Sequence, residues 1–170
     1  NLKNLSVINA DMFDVPEFSR RYDFVFSHGV VEHFTDLSQV IVAHSQYLSE
    51  NGYMLTVIPN MSGLLGWLTK VLNKEVYDLH VPHDHNSFVR GFNESSHRII
   101  ESGYLCSNHF GVLSSTVKKK PSIVWAVYVC LTLASRFTWL FEKYVVKLPK
   151  SRLFSPYIYV NPSPLFFVIK

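Results

Sequence analysis

The chain has 170 residues, of which 48% are hydrophobic and 17% are charged, and this composition predicts one globular domain with its own core. The net charge of +3 is small and the longest basic run is Lys118–Lys120, so nucleic acid is not expected as a partner, because phosphate binding needs a concentrated basic surface. The two cysteines, Cys106 and Cys130, offer neither a disulfide framework nor metal-ligand spacing, which favours a reducing compartment such as the cytoplasm.

The first part of the chain alternates between strand-like and helical patterns. Apolar runs predict strands at 5–11, 22–27 and 53–59, and 3.6-residue spacing predicts a helix at 36–50. Asp36 is a suitable N-cap for this helix, and Asn51-Gly52 a suitable stop. Apolar strands joined by a helical crossover are typical of an α/β fold with a parallel sheet covered on both faces.

The second part of the chain is more varied. The pattern predicts a helix at 63–73, a histidine-rich loop at 79–92, a short helix from Asn93 to Gly103, a strand directly after it, a long apolar helical segment at 121–149 and a last strand at 164–170. The chain begins at Asn1, almost directly before an apolar run, which we interpret as a start in the middle of a domain.

Several stretches resemble the class I S-adenosylmethionine-dependent methyltransferases of the small-molecule type. They are "YDFVFSHGVVEHFTD", "LSENGYMLTVIPN", the later "FNESSHRIIESGY" and the final "PLFFVIK". The resemblance implies a Rossmann-like methyltransferase sheet, mostly parallel with an antiparallel last strand, and S-adenosyl-L-methionine as the cofactor. The family's glycine-rich turn after its first strand has no counterpart here, and 5–11 resembles the third strand of that fold.

The resemblance therefore implies one partial, N-terminally truncated methyltransferase domain spanning 1–170, with a hydrophobic helical insertion at about 121–149. A fragment of this kind leaves a sheet edge unpaired and apolar surface uncovered. We expect it to bind the cofactor weakly or not at all by itself.

The resemblance also implies which residues contact the cofactor. Asp11 and Met12 would hold the adenine ring, through the carboxylate, the peptide N–H and the methionine side chain. Ser27, His28 and Gly29 would line the methionine part of the cofactor, with Gly29 allowing a close approach of the backbone. The alternatives are an Asp11 that only starts a turn and a His28 that is a surface loop histidine.

Glu32 and His33 follow the second predicted strand. In quinone-type O-methyltransferases, which this stretch also resembles, an acid–x–x–acid–His run can hold a metal, but Gly29 stands at the first acid position. We therefore expect no metal on these two residues, and assign them to shaping the chamber wall. His33 is the candidate catalytic base for a hydroxyl acceptor, because the ordinary pKa of histidine lies near neutrality.

The histidine-rich loop offers a second cluster. His80 and His83 are candidates for binding or deprotonating the acceptor, since the resemblance places this loop over the acceptor pocket. Together with Asp84 and His85 they could instead supply metal ligands, although the spacing matches no known zinc motif. Exposed loop histidines without a role are the third alternative.

The apolar segment at 121–149 raises the question of membrane contact. Its uninterrupted run is about a dozen residues, short of the ~20 that span a bilayer, and Arg136 interrupts it. We expect a buried or lid helix, with an interfacial helix as the alternative. Basic residues after the run would suit an anionic surface; they are Lys143, Lys147, Lys150 and Arg152.

The resemblance implies methyl transfer to a small-molecule acceptor. The stretch "IPNMSGLLGWL" resembles methyltransferases of cell-surface polysaccharide pathways, so a sugar or a lipid-linked glycan is the expected acceptor. Two alternatives remain: a non-catalytic truncated Rossmann-like domain that binds a partner through its open sheet edge, and a metal-binding protein built on the histidine-rich loop.

Overall fold

The computed structural model describes residues 6–14, 21–95, 97–117 and 122–162. Four strands and five helices alternate along these residues. The strands are β1 (Tyr22–His28), β2 (Leu48–Pro59), β3 (Ile99–Leu105) and β4 (Tyr157–Pro162), and the helices are α1 (Leu37–Ser45), α2 (Leu64–Leu72), α3 (Lys74–Asp78), α4 (His85–Glu94) and α5 (Ile123–Tyr144). Two 3₁₀ turns, Val31–His33 and Phe110–Ser115, connect them.

The strands form one sheet in the order β1-β2-β4-β3. β1 and β2 are parallel, with Phe24 opposite Tyr53 and Ser27 opposite Thr56. β4 lies between β2 and β3 and is antiparallel to both. Three strands therefore run in one direction and the last runs against them, which confirms the predicted Rossmann-like α/β arrangement with an antiparallel last strand.

The main core lies between one face of the sheet and helices α1 and α4. Phe88 and Phe92 of α4 are fully buried and pack edge to face with their ring centroids 5.4 Å apart. They join buried side chains of α1 and the sheet, namely Val40, Ile41, Met54, Ile58, Ile158 and Val160. This apolar burial fixes the end of β1, and with it the turn that follows.

The opposite face of β1 is open. Tyr22, Phe24 and Phe26 alternate along the strand and are all exposed, as is Tyr53 on β2 beside them. Among the described residues, no strand pairs with the outer edge of β1. The unpaired edge and uncovered apolar surface expected from the resemblance are thus present in the described part of the chain.

A second, smaller core joins α2 and α5 through the second 3₁₀ turn. Leu65, Leu113 and Val117 are buried there, with Trp125 and Tyr128 of α5 packed against them. The hydroxyl of Ser135 accepts a hydrogen bond from the backbone N–H of Phe110 at 3.0 Å. These contacts attach one face of α5 to the domain.

The rest of α5 is exposed or half-buried, so the expectation of a buried helix is wrong, while its other form, a lid helix, stays a prediction. Ser135 is its one buried residue, and Phe137 is 70% exposed. Within the described ranges, α5 is also the one helix long and apolar enough to cross a membrane. The predicted helical character of 121–149 is confirmed for Ile123–Tyr144.

The strand predicted at 5–11 is wrong for the residues described there. Residues 6–11 have no regular structure, and Val7 is 87% exposed. A strand needs a neighbour for its backbone groups, and this segment has none among the described strands. The final strand predicted at 164–170 lies outside the described residues.

Four element boundaries also differ from the predictions. The helix at 36–50 ends at Ser45, and Asn51-Gly52 lie inside β2 rather than at a helix stop. The histidine-rich loop contains α4, and the helix predicted from Asn93 to Gly103 is largely β3. The strand predicted after it ends at Leu105 and gives way to the 3₁₀ turn. Pairing with β4 overrides the local pattern in β3, since Ser102 pairs with Val160.

Candidate active site

The carboxyl ends of the parallel strands β1 and β2 meet at one edge of the sheet, which is where open α/β sheets bind ligands. Gly29 follows β1 with a φ of +69°, a left-handed conformation that favours glycine. Its N–H donates to the carbonyl of Val57 at 3.0 Å, which ties the turn to β2. The chain then enters the 3₁₀ turn Val31–His33.

Ser27 and His28 point to opposite faces of the sheet, as neighbours in a strand must. Ser27 is buried on the core side, and its hydroxyl has no hydrogen-bond partner within the described ranges. His28 is exposed on the open face, with its ring centroid 5.2 Å from that of Tyr157 and 6.2 Å from that of Phe26. A ligand over the open face could therefore contact His28 and Gly29.

Asp11 and Met12 lie in a turn. The carboxylate of Asp11 accepts from the N–H of Phe13 at 3.0 Å, and its carbonyl accepts from the N–H of Asp14 at 3.2 Å. Met12 packs against the main core, and the ring of Phe13 lies 5.6 Å from that of Phe34. Asp11 therefore starts a turn, and Phe13 of that turn packs on Phe34 beside the site edge, so both the adenine role and the alternative of a simple turn stay predictions.

Glu32 is the most unusual side chain at this edge. Its relative exposure is 1%, and its Oε2 has no hydrogen-bond partner in the described part of the chain. Its Oε1 lies 4.0 Å from Nε2 of His33. Burial raises the pKa of the Glu32 carboxyl, opposed by its own backbone amide and by nearby histidines.

The structure brings the predicted base and one predicted acceptor ligand together. The rings of His33 and His80 lie 4.8 Å apart, centroid to centroid. Nδ1 of His33 lies 2.6 Å from the carbonyl of Leu79, and Nδ1 of His80 lies 2.8 Å from the carbonyl of Val76. A carbonyl only accepts, so each Nδ1 carries the proton and each Nε2 is left as the free nitrogen.

The remaining polar residues of the histidine-rich stretch are separated by the fold. His83 is buried, with Nε2 3.5 Å from the carbonyl of Phe34, and burial lowers its pKa. Asp84 caps α4 through the N–H of Ser87 at 2.8 Å. His85 contacts the hydroxyl of Ser102 at 3.0 Å. The four residues His80, His83, Asp84 and His85 therefore do not converge on one ion.

Comparison with known proteins relates this geometry to methyltransferases. The family model described as "Methyltransferase domain" matches residues 1–56. No curated protein matches the sequence of the chain. The family match covers the stretch from the Asp11 turn through β1 to the middle of β2.

Solved structures are similar over nearly the whole chain. A geranyl diphosphate C-methyltransferase from Streptomyces coelicolor A3(2), in complex with Mg²⁺, geranyl diphosphate and S-adenosyl-L-homocysteine, has a TM-score of 0.53 at 12% identity; the alignment covers 92% of this chain and 52% of that one. A methyltransferase from Archaeoglobus fulgidus, described as dependent on S-adenosylmethionine, has a TM-score of 0.54 at 13% sequence identity. Its alignment covers 94% of this chain and 68% of that one.

A complex between the Haloferax volcanii Trm112 methyltransferase activator and its methyltransferase partner has a TM-score of 0.56 at 12% identity, covering 96% of this chain and 63% of that one. At such identities the likeness shows the fold. This chain spans about half the length of the geranyl diphosphate enzyme. The resemblance to the class I methyltransferase fold is confirmed, and similar structures include geranyl diphosphate methyltransferases in complex with S-adenosyl-L-homocysteine, S-adenosylmethionine or sinefungin.

The roles of individual residues stay predictions. The fold gathers Gly29, His33 and His80 at one edge, and it places Ser27 and His83 in the interior. Sequence reasoning assigned Glu32 to the chamber wall and missed its approach to the two histidines. The one signal in the sequence for this approach was that Glu32 directly precedes His33. His80 lies 47 residues after His33, and no sequence pattern links His80 to the other two residues.

Proposed function

We propose that this chain, which has the fold of class I S-adenosylmethionine-dependent methyltransferases, belongs to an enzyme that transfers a methyl group from S-adenosylmethionine to a small-molecule acceptor. The observation that carries the proposal is the methyltransferase family match over residues 1–56, which ends inside the same parallel β1–β2 pair that forms the site edge.

In this reaction the cofactor supplies the electrophilic methyl group, and the protein has to position the acceptor and exclude water. We assign Asp11 and Met12 to the adenine ring and Ser27, His28 and Gly29 to the methionine part. The open face beside His28 and the left-handed turn at Gly29 support contact from the backbone.

For a hydroxyl acceptor we assign His33 as the general base and His80 and His83 to the acceptor. The side chain of His33 is 43% exposed, and its Nε2 is free to accept a proton because Nδ1 donates to the carbonyl of Leu79. His80 lies against the same ring, which supports a role beside the acceptor. His83 is buried, and it would act by holding the backbone carbonyl of Phe34, 3.5 Å from its Nε2, beside the acceptor.

Cofactor binding by the full-length protein tests the first part of this proposal. The change Asp11→Ala should weaken the affinity for S-adenosylmethionine about 10-fold or more, since a hydrogen bond to a charged group contributes roughly 1.5–3 kcal/mol. Asp14→Ala removes a carboxylate from the same exposed turn and serves as the control. Equal affinities of the two variants would refute the adenine role. No binding by the unchanged protein would refute the function.

Transfer of a radiolabelled methyl group tests the base. His33→Gln should lower kcat and leave the affinity for S-adenosylmethionine unchanged, because the base acts on the acceptor and not on the cofactor. A kcat equal to that of the unchanged protein across the pH range would exclude His33 as the base.

We also propose that the acceptor is a sugar or a lipid-linked glycan, which α5 brings within reach by lying in the membrane interface on the cytoplasmic side. The helix is about 33 Å long at 1.5 Å per residue. Its exposed side chains include Phe137, Trp139, Leu140 and Phe141. Lys143 lies over the rings of both Trp139 and Tyr144, so aromatic and basic groups are placed together as interfacial helices require.

The way in which α5 is attached to the domain favours a helix that lies in the membrane interface over a helix that crosses the membrane. One face of the helix packs on the small core through Trp125 and Tyr128, and Ser135 accepts from the backbone of Phe110. A helix held to the domain along one face can bury its other face in headgroups while the domain stays in water.

Sedimentation with vesicles tests this. The protein should bind vesicles of phosphatidylcholine with 30% phosphatidylglycerol, and Phe137→Ser should reduce the bound fraction. Val42→Ser, which changes an exposed apolar side chain of α1, is the matched control and should bind normally. Resistance of the bound protein to high-pH extraction would indicate that α5 spans the membrane instead. No binding to the vesicles would refute the proposal that α5 contacts a membrane.

A non-catalytic domain that binds a partner is the second candidate, and the open edge of β1 with its exposed Phe24 and Phe26 favours it. Such a domain would bind neither S-adenosylmethionine nor its analogue sinefungin. The cofactor-binding measurement above therefore separates the two candidates.

A further inference from the structure

We propose that Glu32, His33 and His80 form a binding site for a divalent transition-metal ion, with zinc as the best match. The three side chains come from two separate segments: the 3₁₀ turn after β1 supplies Glu32 and His33, and the end of α3 leads directly to His80. Val81 donates its N–H to the carbonyl of Glu32 at 2.7 Å, which holds the two segments together.

The ligand atoms already converge. One ligand atom from each of the three side chains lies within 4.8 Å of the other two. A tetrahedral zinc ion with bonds of about 2.0–2.1 Å separates its ligand atoms by roughly 3.3 Å. The ligand atoms must therefore move closer together by up to roughly 1.5 Å. His33 can supply this movement because its side chain is 43% exposed.

The second nitrogen of each histidine is already engaged. Nδ1 of His33 and of His80 lie against the carbonyls of Leu79 and Val76, at 2.6 and 2.8 Å. Metal-bound histidines usually donate their other N–H to a carbonyl or carboxylate in this way, which fixes the tautomer and the ring orientation. In the neutral form of each ring the proton therefore lies on Nδ1, and Nε2 offers the lone pair that metal ligation requires.

The buried carboxylate of Glu32 gives an independent reason for a cation. The residue is 1% exposed, its Oε2 has no hydrogen-bond partner among the residues that the structure describes, and its Oε1 lies 4.0 Å from Nε2 of His33. A buried carboxylate is normally paired or bound to a metal. A metal ion between Oε1 and the two imidazoles would compensate the charge of Glu32.

The donor set indicates the kind of ion. Two imidazoles and one carboxylate suit zinc and its first-row neighbours, whereas Ca²⁺ and Mg²⁺ prefer oxygen ligands alone. Three protein ligands leave a fourth position for water or an acceptor hydroxyl. The partial exposure of His33 keeps that position open to solvent.

This site rests on the proposed function only for its consequence, and it replaces one part of that function, the assignment of His33 as the general base. With zinc bound, Nε2 of His33 is a ligand and cannot accept a proton, so the metal would lower the pKa of the acceptor hydroxyl in its place. Zinc binding and cofactor binding are separate measurements, so each proposal can fail alone.

Zinc titration of the untagged full-length protein, first stripped with a chelator, tests the site. We expect one equivalent of Zn²⁺, and a Co²⁺-loaded form with the visible absorption of a four-coordinate site. His80→Ala should weaken Zn²⁺ binding about 100-fold. Glu32→Gln, which keeps the shape of the side chain, should weaken it as well, and circular dichroism checks that both variants fold.

His85→Ala is the matched control, because His85 lies in the same histidine-rich stretch but contacts Ser102. It should bind zinc as the unchanged protein does. Less than 0.1 equivalent of zinc at micromolar concentration, or equal losses in His80→Ala and His85→Ala, would overturn the proposal.

Discussion

Asn60 joins the site edge to the segment that leads into β4, and its replacement by alanine should destabilise the fold strongly. The residue follows β2 and is fully buried. Its Nδ2 donates to the carbonyls of Arg152 and Ser155 at 2.7 and 2.8 Å. Its Oδ1 accepts from the hydroxyl of Ser62 at 2.9 Å. One side chain thus makes three hydrogen bonds, two of which join residues more than 90 positions apart in the sequence.

The expected loss follows from these three contacts. A typical intramolecular hydrogen bond contributes about 1 kcal/mol net, and each buried carbonyl left without a donor adds a further cost. Asn60→Ala should therefore lower the free energy of unfolding by about 3–4 kcal/mol. Ser62→Ala removes one of the three bonds and leaves both carbonyls satisfied, so it should cost about 1 kcal/mol.

Urea denaturation followed by circular dichroism measures both variants. The difference of about 2–3 kcal/mol between them is the quantity to compare, because it cancels errors in the extrapolation to water. If the two variants lose the same free energy of unfolding, water satisfies the two carbonyls in the folded protein. The bonds from Asn60 to Arg152 and Ser155 would then not stabilise the fold.

Three further changes probe the packing and the buried histidines. A Cβ at Gly91 would lie 2.6 Å from a side-chain carbon of α1, so Gly91→Ala should cost about 1–3 kcal/mol in urea unfolding, whereas Gly103→Ala, with its nearest neighbour at 3.4 Å, should cost clearly less. Phe88→Ala should lower the free energy of unfolding by about 3–5 kcal/mol, and Phe24→Ala, on the open face, by less than a third of that. Burial lowers the pKa of His97, so the unfolded chain binds this proton more readily. Stability should therefore fall as pH drops below about 6.5, by at most about 1.4 kcal/mol per pH unit for this group, and His97→Phe should flatten the slope.

Local signals in the sequence predicted the elements that are stabilised locally. The aromatic and β-branched run at 22–27 became β1, and the side chain of Asp36 accepts from Gln39 as an N-cap should. The capping box of Asp84 and Ser87 is also visible in the sequence and indicates the start of α4. The histidines around it favoured a ligand-binding loop as the interpretation of this stretch.

Elements that depend on distant partners could not be predicted in the same way. β3 forms because Ile99–Leu105 pairs with a strand more than 50 residues further along. The approach of His80 to His33 depends on the path of α3 and on the bond from Val81 to Glu32. Such long-range contacts determine the geometry of the site, and they cannot be predicted from the local sequence.

The position of β4 has a consequence for how the protein is made. β4 fills the gap between β2 and β3, yet it is the last described strand to leave the ribosome, about 100 residues after its partner segment in β2. Until then β2 and β3 each have an unpaired edge. Sheets whose strands are far apart in the sequence fold slowly, and their unpaired edges make the folding chain prone to aggregation. α5 is synthesised within that interval. Early engagement of α5 by a membrane or a chaperone would hold the nascent chain in place until β4 arrives to complete the sheet.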